Sequence, residues 1–274
     1  MLTVTHAGLT DLGCVRRENE DAWYADPDIG LYLVADGMGG HLGGAVASKI
    51  VVEALPYFVR SELPDHLDMS SRKTAGILYK LLANFSNSLR DGSEERPDLT
   101  GMGSTVVFVL LRASTAFVAH MGDSRAYLFR NSRLRKLTRD HTIIQLLLES
   151  GDITEKEADS HPARGQLTRY VGMEGEPLPD IHTFSVRRDD RILLCSDGLT
   201  EMLADEGIKA ILADEAKPGA ACTRLIAAAN EAGGKDNVTI IVIAIAEEKA
   251  ALKEEPGIEV ARFSESDGHR RKKR

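Results

Sequence analysis

The chain has few cysteines and no long hydrophobic segment. Its 274 residues contain only three cysteines, Cys14, Cys195 and Cys222, at wide spacing and without a CxxC pair. This pattern excludes a disulfide framework and a zinc knuckle and favours reduced thiols. No apolar run approaches the roughly 18–20 residues that span a bilayer, and the N-terminus lacks the basic start and apolar core of a signal peptide. We therefore expect a cytoplasmic protein without a membrane span.

Basic charge is also in deficit. The 34 lysines and arginines are outnumbered by 42 acidic residues, which gives a net charge of −8. Because nucleic-acid binders are usually basic, no nucleic-acid partner is expected. The eight histidines form no HxxxH or HExxH pair, so their spacing offers no zinc site. The apolar content of 43% is sufficient for the core of one large domain or two ordinary ones.

Short runs of Val, Ile, Leu, Phe and Tyr predict β-strands. They cover residues 31–36, 104–111, 115–122, 125–130, 181–186, 191–197 and 238–245. Several neighbouring runs are separated by only a few residues, which suits antiparallel hairpins, because parallel crossovers need about a dozen residues or more. The last run, VTIIVIAI, is apolar on both faces, so we expect that strand to be buried on both sides.

Three longer stretches predict helices. Residues 43–63 have apolar side chains at helical spacing, with Pro56 expected to kink or end the helix, and residues 72–92 end at Gly92 as a C-cap. Residues 218–234 begin with proline and end with paired glycines. Two sheets stacked face to face and covered outside by helices would bury these elements. The predicted fold is therefore α+β, a four-layer α-β-β-α sandwich of two antiparallel β-sheets flanked by helices.

Two segments differ from this pattern. Residues 139–172 are polar and broken, and they predict an insertion with a short helix followed by an acidic loop. Residues 247–274 are highly charged and end in RRKKR, which predicts a disordered tail beyond a domain of residues 1–246. The basic end either contacts an anionic surface or merely aids solubility.

Acidic residues recur at the ends of the predicted strands. Asp36, Asp123, Asp197 and Asp236 each stand beside Gly, Ser or Asn. Taken singly, such an acid is usually a turn former or a helix cap. Taken together, the four could converge at one end of the sandwich, where buried carboxylates must be paired, protonated or bound to metal. Ligands that are all oxygen select hard cations such as Mg²⁺ or Mn²⁺.

Eight motifs make the chain resemble a known family. In chain order they are RRENED, VADGMGGH, GSTVV, MGDSRAYLFR, LTRDHT, HPARGQLTRYVG, LCSDGLTEML and KDNVTIIVI. The same order is seen in the metal-dependent type-2C Ser/Thr protein phosphatases, the PPM family, in their bacterial form. The resemblance covers residues 5–246 and, with eight motifs in one order, is highly specific.

The resemblance implies a binuclear Mg²⁺ or Mn²⁺ centre with a third, weaker metal. The implied ligands are Asp21, Asp36, the carbonyl of Gly37, Asp123, Asp197 and Asp236. Among them, Asp36 bridges two ions, Asp21 holds a metal-bound water and Asp123 serves the third ion. The residues implied to support these ligands are Glu20, Glu201 and Asn237. Glu201 departs from the family, since many members have an aspartate there.

Two more residues are implied to act on the phosphate. Arg16 lies four residues before Glu20, the family's spacing for the phosphate-binding arginine, although Arg17 is also basic. His41 either protonates the leaving oxygen or caps the following helix, because extra residues separate it from Asp36 compared with DGH members. The glycines around His41 do not form a nucleotide-binding loop, since a GxGxxG motif starting at residue 37 would need glycine at Leu42.

The implied chemistry is direct attack by water. Two metals about 3.5–4 Å apart can share one hydroxide and aim it in line at phosphorus, with no phosphoenzyme. A thiol-based phosphatase would instead need an arginine six residues after its cysteine. The residues found six positions after the three cysteines are Glu20, Glu201 and Ala228, so that mechanism is excluded. Cys195 is expected to be a buried strand residue.

The implied function is hydrolysis of phosphoserine and phosphothreonine in proteins, reversing Ser/Thr kinase signalling. The expected partners are phosphoproteins and a cognate Ser/Thr kinase, and a monomer is expected. One alternative is a catalytically weak family member that acts as a regulatory binding module. Such members typically lose metal-binding acids, whereas Asp21, Asp36, Asp197 and Asp236 are all present. A phosphatase of a small phosphorylated metabolite is the other alternative, and the sequence does not separate it from a protein phosphatase.

Overall fold

A computed structural model describes residues 2–39, 43–63 and 70–247. The described strands are β1 (Leu2–Asp11), β2 (Asp21–Asp26), β3 (Leu31–Met38), β4 (Gly103–Ser104), β5 (Val106–Arg112), β6 (Thr115–Met121), β7 (Arg125–Arg130), β8 (Arg133–Lys136), β9 (Asp180–Ser185), β10 (Arg191–Cys195) and β11 (Val238–Glu247). The described helices are α1 (Gly43–Glu62), α2 (Ser71–Glu94), α3 (Ile143–Ser150), α4 (Glu155–Ala158), α5 (Asp197–Thr200), α6 (Asp205–Asp214) and α7 (Pro218–Glu231). His41 and the basic C-terminal end lie outside the described residues.

The strands form two sheets. Sheet I has the order β1-β11-β10-β7-β8, and sheet II has the order β2-β3-β5-β6-β9, with β4 paired to β3. Neighbouring strands within both sheets are antiparallel. Helices α1 and α2 pack on sheet II, and helices α6 and α7 pack on sheet I. The predicted α-β-β-α sandwich is confirmed.

Strand β11 shows why the sandwich holds together. Its even-numbered residues Ile240 and Val242 join the apolar core between sheet I and its helices. Its odd-numbered residues Ile241 and Ile243 join the core between the two sheets. Because side chains alternate across a strand, a run that is apolar at nearly every position can be buried on both faces. The prediction that this strand is buried on both sides is confirmed.

Helices α1 and α2 both continue past a residue that the sequence marks as a possible end. Pro56 does not end α1, which continues to Glu62 while Val51, Leu55 and Val59 pack into the core on one face. Gly92 is not the C-cap of α2, because the helix runs on to Glu94, and the buried Ser93 donates a hydrogen bond from Oγ to the carbonyl of Arg90 at 2.7 Å. In both helices, packing of the buried apolar face stabilises the helix by more than a single proline or glycine destabilises it.

The strand predicted over residues 191–197 ends earlier than expected. β10 stops at Cys195, which is fully buried as expected, and Asp197 is the first residue of the short helix α5. The chain turns tightly here, because a Cβ on Gly198 would overlap the carbonyl oxygen of Asn237. Strands β1 and β2 and helix α6 also form without having been predicted. Within residues 2–39, 43–63 and 70–247, no helix combines the length and apolarity needed to cross a bilayer.

A chain that ends after residue 246 should fold like the 274-residue chain. All three apolar cores lie among the described residues up to Ile245. We expect the same thermal midpoint within about 4 °C, since a change of 1 kcal/mol shifts it by roughly 2–4 °C in a protein of this size. In contrast, Ile243→Ala should lower the free energy of unfolding by about 2–5 kcal/mol, because Ile243 is fully buried. A large loss of stability on truncation would make the tail part of the fold.

Candidate metal centre

Five aspartates meet at one edge of the sandwich. Asp21 begins β2 and lies directly opposite Asp36 on β3. Asp123 follows β6, Asp197 opens α5 and Asp236 precedes β11. We call these five residues the carboxylate cluster. Both sheets contribute to the cluster. Starts and ends of strands meet there, because neighbouring antiparallel strands run in opposite directions.

Burial and mutual repulsion both disfavour negative charge in the cluster. Burial raises the pKa of Asp36 well above its ordinary value, and the carboxylates of Asp21 and Asp197 raise it further. The pKa of Asp197 is raised in the same way, first by burial and then by Asp123. Burial also raises the pKa of both Asp21 and Asp123 to about 6. Such a cluster is stable as an ionised group only with compensating positive charge.

The residues present fit a hard divalent cation. Oδ1 of Asp197 is buried and has no hydrogen-bond partner among the described residues. A buried acceptor without a partner is costly, and a cation would satisfy it. The neighbouring donors are carboxylate oxygens, the ligand type that Mg²⁺ and Mn²⁺ prefer.

Close backbone packing explains why residue 37 is glycine. Its N–H donates to the carbonyl of Glu20 at 3.1 Å. A Cβ at this position would overlap the carbonyl oxygen of Gly44, in the first turn of α1. A Cβ on Gly44 would likewise overlap the side chain of Glu20. The two glycines let the strand, the helix and the loop before β2 approach one another directly beside Asp36.

Arg16 lies at the mouth of the cluster. Its Nη2 donates to Oδ2 of Asp236 at 2.6 Å, and its Nη1 lies 3.9 Å from Oε2 of Glu20. The side chain is 45% exposed, so the guanidinium is accessible from solvent. Arg17 is exposed as well. Of the two adjacent arginines, Arg16 is the one in contact with the cluster.

Asn237 fixes the loop that carries Arg16. Its Nδ2 donates to the carbonyls of Leu12 and Glu18, both at 3.0 Å. Its Oδ1 accepts from the backbone N–H of Glu20 at 2.9 Å. The side chain is buried. These three bonds attach the loop between β1 and β2 to the start of β11 in sheet I. Asn237 therefore supports the cluster by holding its backbone.

Ser196 is a site residue that the sequence reasoning missed. Its Oγ donates to Oδ2 of Asp21 at 2.7 Å and accepts from the N–H of Thr239 at 3.0 Å. The hydroxyl therefore joins the two sheets at the cluster and partly offsets the effect of burial on the pKa of Asp21. Its place in the LCSDG motif was a signal, but Asp21 is 175 residues away in the chain.

Glu201 lies at the side of a cleft next to the cluster. The cleft has a volume of about 260 Å³ and is lined by Asp123, Asp197 and Glu201 together with Arg125 and Arg164. Oε1 of Glu201 accepts from Nη2 of Arg164 at 3.3 Å. Arg164 belongs to residues 139–172, which we call the flap segment. This segment contains α3 and α4, and its role as an insertion stays a prediction.

Comparisons with known proteins show which family the chain resembles. A family model described as protein phosphatase 2C matches residues 16–230. The serine/threonine protein phosphatase PstP of Mycobacterium tuberculosis is 40% identical over 250 residues, covering 88% of this chain and 45% of that protein. The serine/threonine phosphatase stp of Listeria monocytogenes is 34% identical over 237 residues, covering 85% of this chain and 93% of that protein.

A solved structure is similar over the whole fold. It is the catalytic domain of a serine/threonine protein phosphatase named PstP, in complex with two manganese ions. The TM-score is 0.78 at 35% identity, with 90% of this chain and all of that chain covered. This chain spans less than half the length of full-length M. tuberculosis PstP.

The raised pKa of Asp21 predicts how stability depends on pH without metal. The folded state holds a proton on Asp21 up to pH about 6, whereas its ordinary pKa is 3.8. The protonated carboxyl therefore contributes stability below pH 4, and this is lost as the pH rises through 6. In EDTA, we expect Asp21→Asn and the wild type to differ little near pH 4. Above pH 6 the variant should be more stable by roughly 1–3 kcal/mol.

Urea denaturation between pH 4 and 7.5 measures this difference. Only the gap between the two proteins is informative, since carboxylates outside the cluster titrate alike in both. The gap also contains the relief of Asp36, whose pKa the Asp21 carboxylate raises. A gap that stays constant across the range would show that Asp21 has an ordinary pKa.

Proposed function

The chain belongs to the protein phosphatase 2C family, and we propose that it hydrolyses phosphoserine and phosphothreonine in proteins with Mn²⁺ or Mg²⁺. The observation that carries this proposal is the carboxylate cluster with the exposed guanidinium of Arg16 at its mouth. A concentrated negative site has little affinity for a phosphate dianion unless cations intervene, because like charges repel. Cations and an arginine together make it a phosphate site.

We propose that Asp21, Asp36, Asp197, Asp236 and the carbonyl of Gly37 hold two divalent cations. The manganese complex of the PstP catalytic domain supports this number. Such a pair of ions supplies Lewis acidity and lowers the pKa of water from about 15.7 toward 7. Asp123, in the cleft with Glu201, is the proposed ligand of a third, weaker ion.

The chain's own residues bind and orient the reactants. Arg16 would turn its planar fork from Asp236 to the phosphate oxygens, a bidentate contact that lysine cannot make. Asp21, oriented by the hydroxyl of Ser196, would hold the attacking water. His41 stays a prediction as the group that protonates the leaving oxygen. The cleft beside the cluster is lined by Arg164 and Gly165 of the flap segment, and it would receive a phosphorylated side chain from a protein surface.

Two alternatives are weaker. A binding module without catalysis would not need five ionisable carboxylates forced together at a cost in stability. A small phosphorylated metabolite remains compatible with the cluster, and it is compared with phosphopeptides in the assay below. We likewise propose that the protein is a cytoplasmic monomer. We also propose that it reverses phosphorylation by a cognate Ser/Thr kinase. Light scattering of the purified protein and phosphoproteomes with and without the gene test these points.

Hydrolysis should depend on metal and on Asp197. With Mn²⁺, we expect turnover of phosphothreonine and phosphoserine peptides, loss of turnover in EDTA, and a fall in kcat of roughly 10²–10³-fold in Asp197→Asn. Asp98→Asn is the matched control, because Asp98 is exposed and pairs with Arg96. Phosphate release is the measurement, with a phosphotyrosine peptide and small phosphate monoesters as comparison substrates.

Activity that survives complete metal removal would refute the proposed mechanism. Faster turnover of a small monoester than of either peptide would favour a metabolite phosphatase. Metal-free Asp197→Asn should be at least as stable as the wild type, because the raised pKa of Asp197 shows that its charge is unfavourable. Lost activity would therefore not reflect lost folding.

Arg16 and Arg17 offer a direct comparison of neighbours. Arg16→Ala should raise KM for the phosphopeptide by roughly 10–100-fold, since a charge-assisted bond contributes about 1.5–3 kcal/mol. Arg16→Lys should recover only part of this loss. Arg17→Ala should change KM less than about threefold. Steady-state kinetics with Mn²⁺ measure both, and equal effects of the two alanine variants would mean that the phosphate-binding arginine is misassigned.

A further inference from the structure

A second cluster of titratable groups lies outside the carboxylate cluster. His120 at the end of β6 pairs with Asp180 at the start of β9. His141 of the flap segment joins them, and one ligand atom of each residue lies within 4.8 Å of the others. Both histidines are buried. The group has the composition of a metal site, so its geometry decides what it can do.

The geometry does not suit a metal. The rings of His120 and His141 are stacked, with centroids 4.5 Å apart and planes inclined by 19°. A metal lies in the plane of each imidazole that binds it, about 2.0–2.1 Å from the nitrogen. Two nearly parallel rings lying face to face cannot both meet this condition. Nη1 of Arg169 also lies 3.4 Å from Nε2 of His141, where it would repel a cation.

Hydrogen bonds fix the tautomer of His141 instead. The backbone N–H of Gly122 donates to its Nδ1 at 3.2 Å. An N–H can only donate, so Nδ1 carries no proton and the neutral ring holds its proton on Nε2. Nη1 of Arg169, 3.4 Å from Nε2, is then a second donor and makes no hydrogen bond with it; it donates to Oδ1 of Asp180 instead. Nε2 then donates to Oδ2 of Asp180 at 3.2 Å. Burial lowers the pKa of His141, which favours this neutral form.

His141 bonds to both the N–H and the carbonyl of Gly122. Besides the bond to Nδ1, the N–H of His141 donates to the carbonyl of Gly122 at 3.0 Å. Gly122 has φ of +113°, and a Cβ there would lie 2.6 Å from the side chain of Thr105. Gly122 is thus confined by Thr105 on one side and by His141 on the other. The next residue in the chain is Asp123 of the carboxylate cluster.

His141 also connects this loop to the flap segment. Its carbonyl accepts from the N–H of Thr168 at 2.8 Å. Its partner Asp180 accepts from Nη1 of Arg169 at 3.2 Å. Thr142, the next residue, caps α3 by accepting from the N–H of Gln145 at 3.1 Å. Both ends of the flap segment are therefore attached to the residue that holds Gly122.

We propose that His141 is a positioning residue: its unprotonated Nδ1 fixes the Gly122–Asp123 peptide, Asp180 orients its ring, and cation binding at Asp123 depends on this arrangement. The cation-binding part rests on the proposed function. The hydrogen-bond part does not, because it concerns the metal-free chain alone. The two parts are therefore tested by separate measurements.

Two amide substitutions separate the two nitrogens of His141. In His141→Asn the side-chain oxygen takes the place of Nδ1 and can still accept from Gly122. In His141→Gln the amide group lies where Nε2 was, so the bond to Asp180 is kept and the bond to Gly122 is lost. His182→Gln is the matched control, because His182 is an exposed histidine on the neighbouring strand β9.

Amide hydrogen exchange of Gly122 tests the hydrogen bond in EDTA. We expect protection in the wild type, in His141→Asn and in His182→Gln, and at least a tenfold faster exchange in His141→Gln. Nitrogen NMR of the wild-type imidazole tests the tautomer without any substitution, so the result does not depend on a variant that folds. A proton on Nδ1, or equal protection of Gly122 in all four proteins, would overturn the proposal.

Calorimetric titration with Mn²⁺ tests the consequence for the site. Residues that orient metal ligands typically change affinity by about 10–100-fold, and we expect a loss of this size at the weakest Mn²⁺ site in His141→Gln. His141→Asn should lie within about threefold of the wild type. If the wild type binds Mn²⁺ and both variants match it, positioning of Asp123 is refuted while the proposed function stands. If the wild type binds no Mn²⁺, the proposed function fails, and the exchange and tautomer results still decide the hydrogen-bond part.

Discussion

Repulsion among buried carboxylates is the constraint on which the rest of the structure depends. Asp36 stands at the centre of the cluster, where Asp21, Asp197, Asp123 and Asp236 all raise its pKa. This arrangement of charges does not stabilise the fold, since each ionised carboxylate has a lower free energy in water. The fold tolerates the cost because three apolar cores support it from behind. Bound cations would offset this cost.

The supports around the cluster are side-chain hydrogen bonds and close backbone packing. Asn237 and Ser196 join the two sheets through bonds to the loop before β2 and to Asp21. Gly37 and Gly44 allow α1 to lie against that same loop. On the opposite side, His141 links Gly122 to the flap segment. The carboxylates are thus held by neighbours that are themselves fixed, as a site that must not rearrange requires.

The sequence predicted the buried parts of this architecture better than its borders. Strands such as β11 were readable because burial on both faces leaves an unbroken apolar run. Strand β2 was missed because it is only half-buried along its whole length. The acids were recognised by type and order, but Asp197 was placed on a strand instead of a helix start. Partners such as Asn237 and Glu20, 217 residues apart, meet only in the folded chain.

The most direct test of the account is where Mn²⁺ lies in the crystal. Anomalous difference maps from crystals grown with Mn²⁺ locate the ions without reference to activity. We predict at least two peaks among Asp21, Asp36, Asp197 and Asp236, and none between His120 and His141. Absence of peaks in the carboxylate cluster, or a peak at the histidine pair, would contradict the account.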